Sequence, residues 1–276
     1  MLPEVVQRAT DHYLRSVDQL LPGLVTGFYV VGSVALGAYR PRRSDIDFVA
    51  VVDRELSGDD LRRLRLQHAR SAAYAGVRAV RDRRSPLTGN PNGVYLRRAD
   101  LTRPVGGVRA LAAHVGGRFL VRPEASDVNP VLWKVWADRG IALRGAPPSD
   151  LGLRVDPAEL VQWNLGNLDG YWNRWASADV RAARRRFRLR PRWSTAWGAL
   201  GAPRLHRTIA TGEIIGKEAA GEHALDVLPS RFHPLIGDAL AYWREEPSPL
   251  RLSPEARHAQ TTDLVLAVIE SAHQLP

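Results

Sequence analysis

The sequence contains no cysteine, only two lysines (Lys134 and Lys217) and no long apolar run. Without cysteine there is no disulfide, no cysteine-ligated zinc site and no thiol nucleophile. No apolar stretch approaches the ~20 residues that a membrane-spanning helix needs. The amphipathic N-terminal segment lacks the basic start and apolar centre of a signal peptide. We therefore expect a soluble cytoplasmic protein without a membrane partner.

Arginine supplies nearly all of the positive charge. The formal net charge is +10 at pH 7, which by itself would suit a nucleic-acid partner. Abundant Arg, Ala, Gly and Pro with almost no Lys is typical of GC-rich coding, so we interpret the charge mainly as a basic surface. A basic cleft would also steer an anionic triphosphate. The arginine run between residues 181 and 192 could contact RNA phosphates, but a solvated helix face or loop is the favoured interpretation.

The chain has 276 residues, of which 45% are hydrophobic, enough for one large domain or two modest ones. The residues around Gly145–Pro148 mark a boundary, and after about residue 153 the pattern becomes helical. We expect an α+β domain at 1–152, with a mixed sheet flanked by helices, and an all-α helical bundle at 153–276.

Apolar spacing, caps and turn residues predict the individual elements. In the first half they predict helices at 3–20, 58–75 and 130–139, strands at 28–31, 45–52, 93–96 and 141–143, a short strand candidate at 119–121 and a loop at 81–92. In the second half they predict helices at 157–172, 193–211, 217–220, 232–243 and 254–273.

Residues 27–53 hold the pattern on which the functional interpretation depends: GFYVVGSVALGAYRPRRSDIDFVAVVD. Side chains alternate between the two faces of a strand. Asp45 and Asp47 therefore share one face, while Ile46 and Phe48 point into apolar packing. Two carboxylates on one face suit a hard divalent cation, which takes oxygen ligands. The alternative is an ordinary β-hairpin whose solvated face holds two aspartates.

Gly32 and Ser33 form the turn after the first strand of this stretch. They place backbone N–H groups and a hydroxyl near a bound phosphate, with little side chain in the way. Metal, phosphate and in-line displacement belong together. The stretch therefore indicates phosphate chemistry assisted by a metal.

Gly32-Ser33 followed by Ser44-Asp45-Ile46-Asp47 resembles the GS…DxD signature of the polymerase-beta-like nucleotidyltransferases. The resemblance implies that Asp45 and Asp47 are catalytic residues that bind Mg²⁺. It also implies that Gly32, Ser33 and Ser44 contact a nucleotide.

Residues 193–243 are similar to the helical C-terminal domain of aminoglycoside adenylyltransferases of the streptomycin/spectinomycin type. The shared features are an arginine on one helix, the Thr-Gly that ends that helix, a lysine followed by small residues, and a Leu-Pro. They correspond here to Arg204, Thr211-Gly212, Lys217 with Ala219-Ala220, and Leu228-Pro229. The resemblance implies that Arg204 and Lys217 bind the triphosphate, and that Trp243 or Tyr242 lies near the adenine.

Together the two resemblances imply a monomeric, Mg²⁺-dependent enzyme that moves AMP from ATP to a hydroxyl of a small molecule, with aminoglycosides as candidate acceptors. In this family a third acid on a later strand removes the hydroxyl proton. The strand at 93–96 has no carboxylate, and Asp82 and Asp100 are the nearest alternatives. A degenerate, nucleotide-binding relative with little transfer activity is therefore the second hypothesis. An RNA-directed nucleotidyltransferase ranks last.

The acceptor side also departs from the family pattern. The segment Trp193–Trp197 has no acid where the drug-binding enzymes carry one, which leaves Asp169 and Asp179 as alternatives. The tryptophans at 163, 172, 175, 193 and 197 could stack on an acceptor, although packing in the helical core is favoured. We expect His206 to be a surface histidine.

Overall fold

The computed structural model describes residues 2–81, 91–123, 128–177 and 191–275. It divides the chain into two compact units, residues 1–155 and 156–276. Within the described ranges no helix is both long enough and apolar enough to cross a membrane.

The first unit is built on a six-stranded mixed sheet with the order β5-β4-β3-β2-β1-β6. Its strands are β1 (Val25–Val30), β2 (Ile46–Val52), β3 (Pro91–Arg97), β4 (Ala112–Val115), β5 (Arg118–Val121) and β6 (Ile141–Arg144). β2 and β3 are parallel, and the other pairs are antiparallel. The expected mixed sheet flanked by helices is confirmed.

Within the described ranges, four α-helices accompany the sheet: α1 (Glu4–Leu20), the short α2 (Gly32–Ala35), α3 (Gly58–Arg81) and α4 (Pro130–Arg139). α1 and α3 pack on one face, where Tyr13 meets Phe28 and Phe48 at ring separations of 4.9 and 5.2 Å. α4 lies on the other face, with the Trp136 ring 5.0 Å from that of Tyr29. Residues 28 and 29 point to opposite faces because side chains alternate along a strand.

The first strand, predicted at 28–31, runs from Val25 to Val30, and three further predictions for this unit were wrong in detail. Gly32 and Ser33 begin a short helix instead of a simple turn. α3 continues to Arg81, because one glycine at 76 costs a helix interior only about 1 kcal/mol and does not end it. β3 begins at Pro91, so the end of the predicted loop at 81–92 is strand; proline is tolerated at the first position of a strand.

The second unit is helical, as expected. A helix α5 (Pro157–Asn167) continues through a π-helical turn at Leu168–Trp172. It is followed by α6 (Arg192–Thr211), α7 (Lys217–Val227), α8 (His233–Arg244) and α9 (Pro254–His273). α7 is longer than the predicted 217–220.

Small residues on α6 make room for large aromatic rings. A Cβ atom on Gly201 would lie 2.4 Å from the Trp172 ring, and one on Gly198 would lie 2.7 Å from the Trp175 ring. These distances are far below van der Waals contact. The glycines therefore let α6 approach the tryptophans closely, which fixes the helix that carries Arg204.

Candidate active site

Asp47 lies in β2, one of the two central strands and a member of the parallel pair, and Asp45 immediately precedes this strand. The alternate residues Ile46 and Phe48 are 0% and 1% exposed, and they lie on the face covered by α1 and α3. The two carboxylates are half-buried and, by strand alternation, share the opposite face. Ile46 and Phe48 thus fix the start of β2 in the core, and the two aspartates lie on the opposite face of the sheet.

Gly32 packs directly against the carboxylate of Asp47. Its φ is +58°, and a Cβ atom at this position would lie 1.9 Å from Asp47 Oδ2. The preceding Val31 donates its backbone N–H to the carbonyl oxygen of Asp47 over 3.0 Å. Only glycine satisfies both the left-handed backbone and the missing space. The structure thereby brings the Gly-Ser segment and the acidic strand together.

Ser33 follows Gly32 in α2. Its hydroxyl oxygen is buried and has no hydrogen-bond partner among the described residues. Buried hydroxyls are nearly always hydrogen-bonded in folded proteins. An unpartnered hydroxyl next to the Gly32–Asp47 contact is therefore a feature that a bound phosphate would satisfy.

Ser44 is buried and belongs to the loop that leads into β2. Its side-chain oxygen accepts a hydrogen bond from the backbone N–H of Arg40 over 3.1 Å, and its own N–H donates to the Arg40 carbonyl over 2.8 Å. These contacts close the loop immediately before Asp45. In the structure Ser44 thus supports the acidic strand; its predicted contact with a nucleotide stays a prediction.

Asn92 is a site residue that the sequence analysis missed. In the parallel pairing of β2 with β3, Asn92 lies opposite Asp47. Its side-chain Nδ2 donates to Asp45 Oδ2 over 2.5 Å. The segment before β3 was predicted as loop through residue 92, which hid this residue. The apolar run Val94–Leu96 is the signal that could have revealed it. A strand that contains this run and begins at Pro91 includes Asn92 and places it beside Asp47.

Asp82 and Asp100 are the acids nearest to the strand on which a third acid was expected. Asp100 follows β3 at the end opposite to Asn92, and it is bound by Arg97 over 3.1 Å and by Arg103 over 3.1 Å. The Arg97 guanidinium holds the pKa of the Asp100 carboxyl below its usual range. Asp100 therefore stabilises the turn after β3 and is not the missing base. Asp82 lies outside the described residues.

In the helical unit, Arg204 and Lys217 are linked through the turn between α6 and α7. Arg204 donates its Nε–H to the Ile215 carbonyl over 3.0 Å, and Lys217 is the first residue of α7 after Gly216. Gly212 ends α6 in the left-handed conformation, as the Thr-Gly motif predicts. The arginine thus fixes the turn that presents the lysine.

The Lys217 ammonium lies close to two indole rings. Its Nζ is 4.4 Å from the centroid of Trp243 and 5.0 Å from that of Trp197, both within cation–π range. Trp243 is 8% exposed and belongs to the helical core. Two aromatic rings therefore set the position of the predicted triphosphate-binding lysine.

The tryptophans of the helical unit differ in exposure. Trp172 is 4% exposed and lies in the core, as favoured, whereas Trp193 and Trp197 are 60% and 39% exposed. Trp197 also donates its Nε1–H to the Tyr171 hydroxyl over 3.0 Å. Core packing is therefore confirmed for Trp172 and wrong for Trp193.

The expectation that His206 is a surface residue was wrong. It is 2% exposed and hydrogen-bonded to His223 over 2.9 Å and to Ser271 over 3.0 Å. Burial lowers the pKa of His206 to about 4. These hydrogen bonds join α6 to α7 and α9, so His206 belongs to the packing between these helices.

The predictions for the acceptor-side acids and for the arginine run fall partly outside the described residues. Asp169 is exposed and paired with His273 over 2.8 Å, whereas Asp179 lies outside these ranges. The arginine run also lies outside them except at its end, where Arg192 pairs with the buried Asp238 over 3.1 Å.

No group of three or more His, Cys, Asp or Glu side chains in the described part of the chain could hold a metal ion by itself. The aspartate pair supplies two carboxylates. Mg²⁺ is commonly bound by one or two protein carboxylates together with substrate phosphates. The geometry therefore fits a metal that arrives with a nucleotide better than a permanent structural ion.

Comparison with known families agrees with this geometry. Residues 11–76 match the family model of the nucleotidyltransferase domain, and residues 179–266 match that of the aminoglycoside adenylyltransferase C-terminal domain. The chain is a nucleotidyltransferase with a C-terminal domain of the aminoglycoside adenylyltransferase family. The family resemblance and the enzyme class expected from the sequence are confirmed. No curated protein matches the sequence significantly.

One similar solved structure is a spectinomycin adenyltransferase from Enterococcus faecialis with ATP and spectinomycin. The match has a TM-score of 0.71 and 14% sequence identity, and it covers 95% of this chain and 98% of that chain. At this identity the likeness establishes the fold and not the substrate. Asn92 lies outside both matched segments, so neither family model bears on it.

Proposed function

We propose that this nucleotidyltransferase moves AMP from ATP to a hydroxyl of a small-molecule acceptor, with Mg²⁺ held by Asp45 and Asp47. The observation that carries the proposal is the contact between Gly32 and the Asp47 carboxylate. It joins a phosphate-binding segment to a metal-binding carboxylate pair, which is the combination that nucleotidyl transfer requires. When bound, Mg²⁺ would neutralise charge on the triphosphate during in-line displacement.

In this proposal the acceptor hydroxyl oxygen attacks the α-phosphorus, the bond from that phosphorus to the oxygen bridging the α- and β-phosphates breaks, and pyrophosphate leaves with the electron pair. The hydroxyl proton passes to solvent water. Asp45 and Asp47 would hold the metal, and the Ser33 hydroxyl would donate a hydrogen bond to a phosphate oxygen. Most of the catalytic effect then comes from positioning and charge stabilisation.

We assign phosphate binding in the helical domain to Arg204 and Lys217. A guanidinium forms forked hydrogen bonds to phosphate oxygens, and an ammonium adds a compact charge. Lys217 stands at the first position of α7, where the helix dipole disfavours a cation. A bound anion would compensate that cost. Trp243 serves the site by holding the lysine, and its contact with adenine stays a prediction.

The acceptor class is proposed as aminoglycoside, because the second family model is named for these drugs. The test is isothermal titration calorimetry with ATP and Mg²⁺, followed by spectinomycin and streptomycin in the same cell. We expect ATP binding that requires Mg²⁺ and drug binding that requires ATP. Absence of ATP binding would contradict the nucleotide site. ATP binding without any drug response would contradict the aminoglycoside acceptor alone.

Replacing Lys217 with methionine should weaken ATP binding about 10- to 100-fold, since a hydrogen bond to a charged group contributes roughly 1.5–3 kcal/mol. Methionine retains an unbranched stem beside the two tryptophan rings and removes the ammonium group, with its charge and its N–H donors. Titration calorimetry with ATP and Mg²⁺ measures the change.

The chain offers a matched control, because its other lysine lies elsewhere. Lys134 is on α4 and pairs with Asp138 over 2.8 Å. Lys134→Met removes the same charge from the protein and should leave ATP affinity within a factor of about two, given that exposed pairs contribute little. Equal losses in both variants would show that overall charge, not Lys217, attracts the nucleotide.

One observation favours a second candidate, a nucleotide-binding protein with slow transfer. The residue opposite Asp47 on β3 is the amide Asn92, which cannot take a proton as a carboxylate does. Loss of a general base costs roughly 10²–10⁴ in rate. Pyrophosphate release that depends on an added acceptor and turns over many times per protein would exclude this candidate.

A further inference from the structure

Three segments of the sequence meet at the carboxylate pair: the start of α2 at Gly32, the start of β2 and the start of β3. Asn92 is the β3 contribution. Because β2 and β3 are parallel and in register here, the beginnings of both strands lie side by side. The Asn92 side chain therefore arises from the strand next to the acids and not from a loop.

The two ends of the Asn92 amide have different surroundings. Nδ2 donates to Asp45 Oδ2 over 2.5 Å. Oδ1 is buried and has no hydrogen-bond partner among the described residues. Hydrogen bonds to a carboxylate are stronger than neutral ones, so the donating end fixes the orientation of the Asp45 side chain. The accepting end is left for an O–H or N–H group of a ligand or water.

We propose that Asn92 is a positioning residue of the metal–nucleotide site, which acts by holding Asp45 in the orientation that binds the cation. The proposal rests on the proposed function of the aspartate pair as a metal site. Groups that hydrogen-bond metal ligands fix their orientation, and their loss commonly costs 10–100-fold in metal affinity.

An amide suits this position better than a carboxylate for the task. A carboxylate at residue 92 would face Asp45 at hydrogen-bond distance and repel it. The amide N–H instead donates a hydrogen bond to the Asp45 carboxylate. Asn92 thus supplies orientation without adding charge.

The test measures Mn²⁺ binding by electron paramagnetic resonance in the presence of α,β-methylene-ATP, which cannot transfer its nucleotide. We expect Asn92→Ala to weaken Mn²⁺ binding about 10- to 100-fold. If Asn92 acts through Asp45, the substitution should have no further effect in an Asp45→Asn background. Double-mutant cycles detect this kind of coupling between neighbours.

Two more variants separate positioning from folding. Asn92→Leu keeps the size of the side chain without its hydrogen bonds and should cause the same loss of Mn²⁺ affinity. Asn164 is a matched control: it is 1% exposed, and its Nδ2 donates to the Leu160 carbonyl over 2.8 Å inside α5. Asn164→Ala should leave Mn²⁺ affinity unchanged.

The possible failures are distinguishable. If the wild-type protein binds no Mn²⁺ with the nucleotide analogue, the proposed function is contradicted, and this inference with it. If the wild type binds and Asn92→Ala and Asn92→Leu bind equally well, only the role of Asn92 is overturned. The same holds if the loss from Asn92→Ala adds in full to the loss from Asp45→Asn.

Discussion

Replacing Asp47 with asparagine should lower nucleotidyl transfer by roughly 10³-fold or more, because the metal's charge stabilisation amounts to several kcal/mol and each 1.36 kcal/mol is tenfold in rate. Asparagine has nearly the same shape, so the contact with Gly32 and the backbone hydrogen bond from Val31 can persist. The measurement is acceptor-dependent pyrophosphate release under saturating ATP and Mg²⁺.

The control for this prediction is a carboxylate elsewhere on the same unit. Asp53 follows β2 at its other end, is exposed, and pairs with Arg98 over 2.6 Å. Asp53→Asn should leave transfer unchanged within a factor of about two, since exposed ion pairs contribute little. Full activity in Asp47→Asn, with an unchanged circular dichroism spectrum, would show that the aspartate pair is not the metal site.

Replacing Gly32 with alanine should lower transfer by about 10²-fold or more. The added Cβ would stand 1.9 Å from Asp47 Oδ2, so the carboxylate must move. A displacement of about 1 Å at a reacting centre costs about 10²-fold. The positive φ of +58° adds roughly 1–2 kcal/mol of backbone strain for any residue with a side chain. Transfer rate and thermal unfolding of the same preparation measure the two effects.

Gly37 offers a comparison that separates strain from displacement. Its φ is +69°, and a Cβ atom there would meet nothing within 4 Å. Gly37→Ala should therefore lose similar stability while retaining transfer activity. If both alanine variants lose activity equally, backbone strain in the 32–37 segment explains the loss, and the Asp47 contact does not.

The sequence was sufficient for the acidic strand because its alternation is unambiguous: apolar Ile46 and Phe48 require a core, and Asp45 and Asp47 are then placed on the other face. The motifs Gly32-Ser33 and Thr211-Gly212 were also informative about the backbone, because both glycines adopt the positive φ that such motifs indicate. Local rules fix these positions without knowledge of the fold.

The residues that contact these positions could not be predicted from the local sequence. Asn92 reaches Asp45 only through parallel pairing with a strand 45 residues earlier in the chain, as the register Asp47–Asn92 shows. Likewise, the rings around Lys217 come from α6 and α8, and His206 is buried by contacts with α7 and α9. Side-chain contacts between elements are set by tertiary packing, which single-sequence patterns do not specify.

The parallel pairing of β2 with β3 also has a consequence for folding. Parallel strands need a long crossover connection, here one that includes α3, so Asp45 and Asn92 meet only after a non-local step that is intrinsically slow. A partly folded chain would lack the assembled site and could not bind the metal–nucleotide complex proposed here. Such a ligand would then stabilise the native state alone. Nucleotide supplied during refolding would therefore raise the fraction of folded protein and leave the folding rate unchanged.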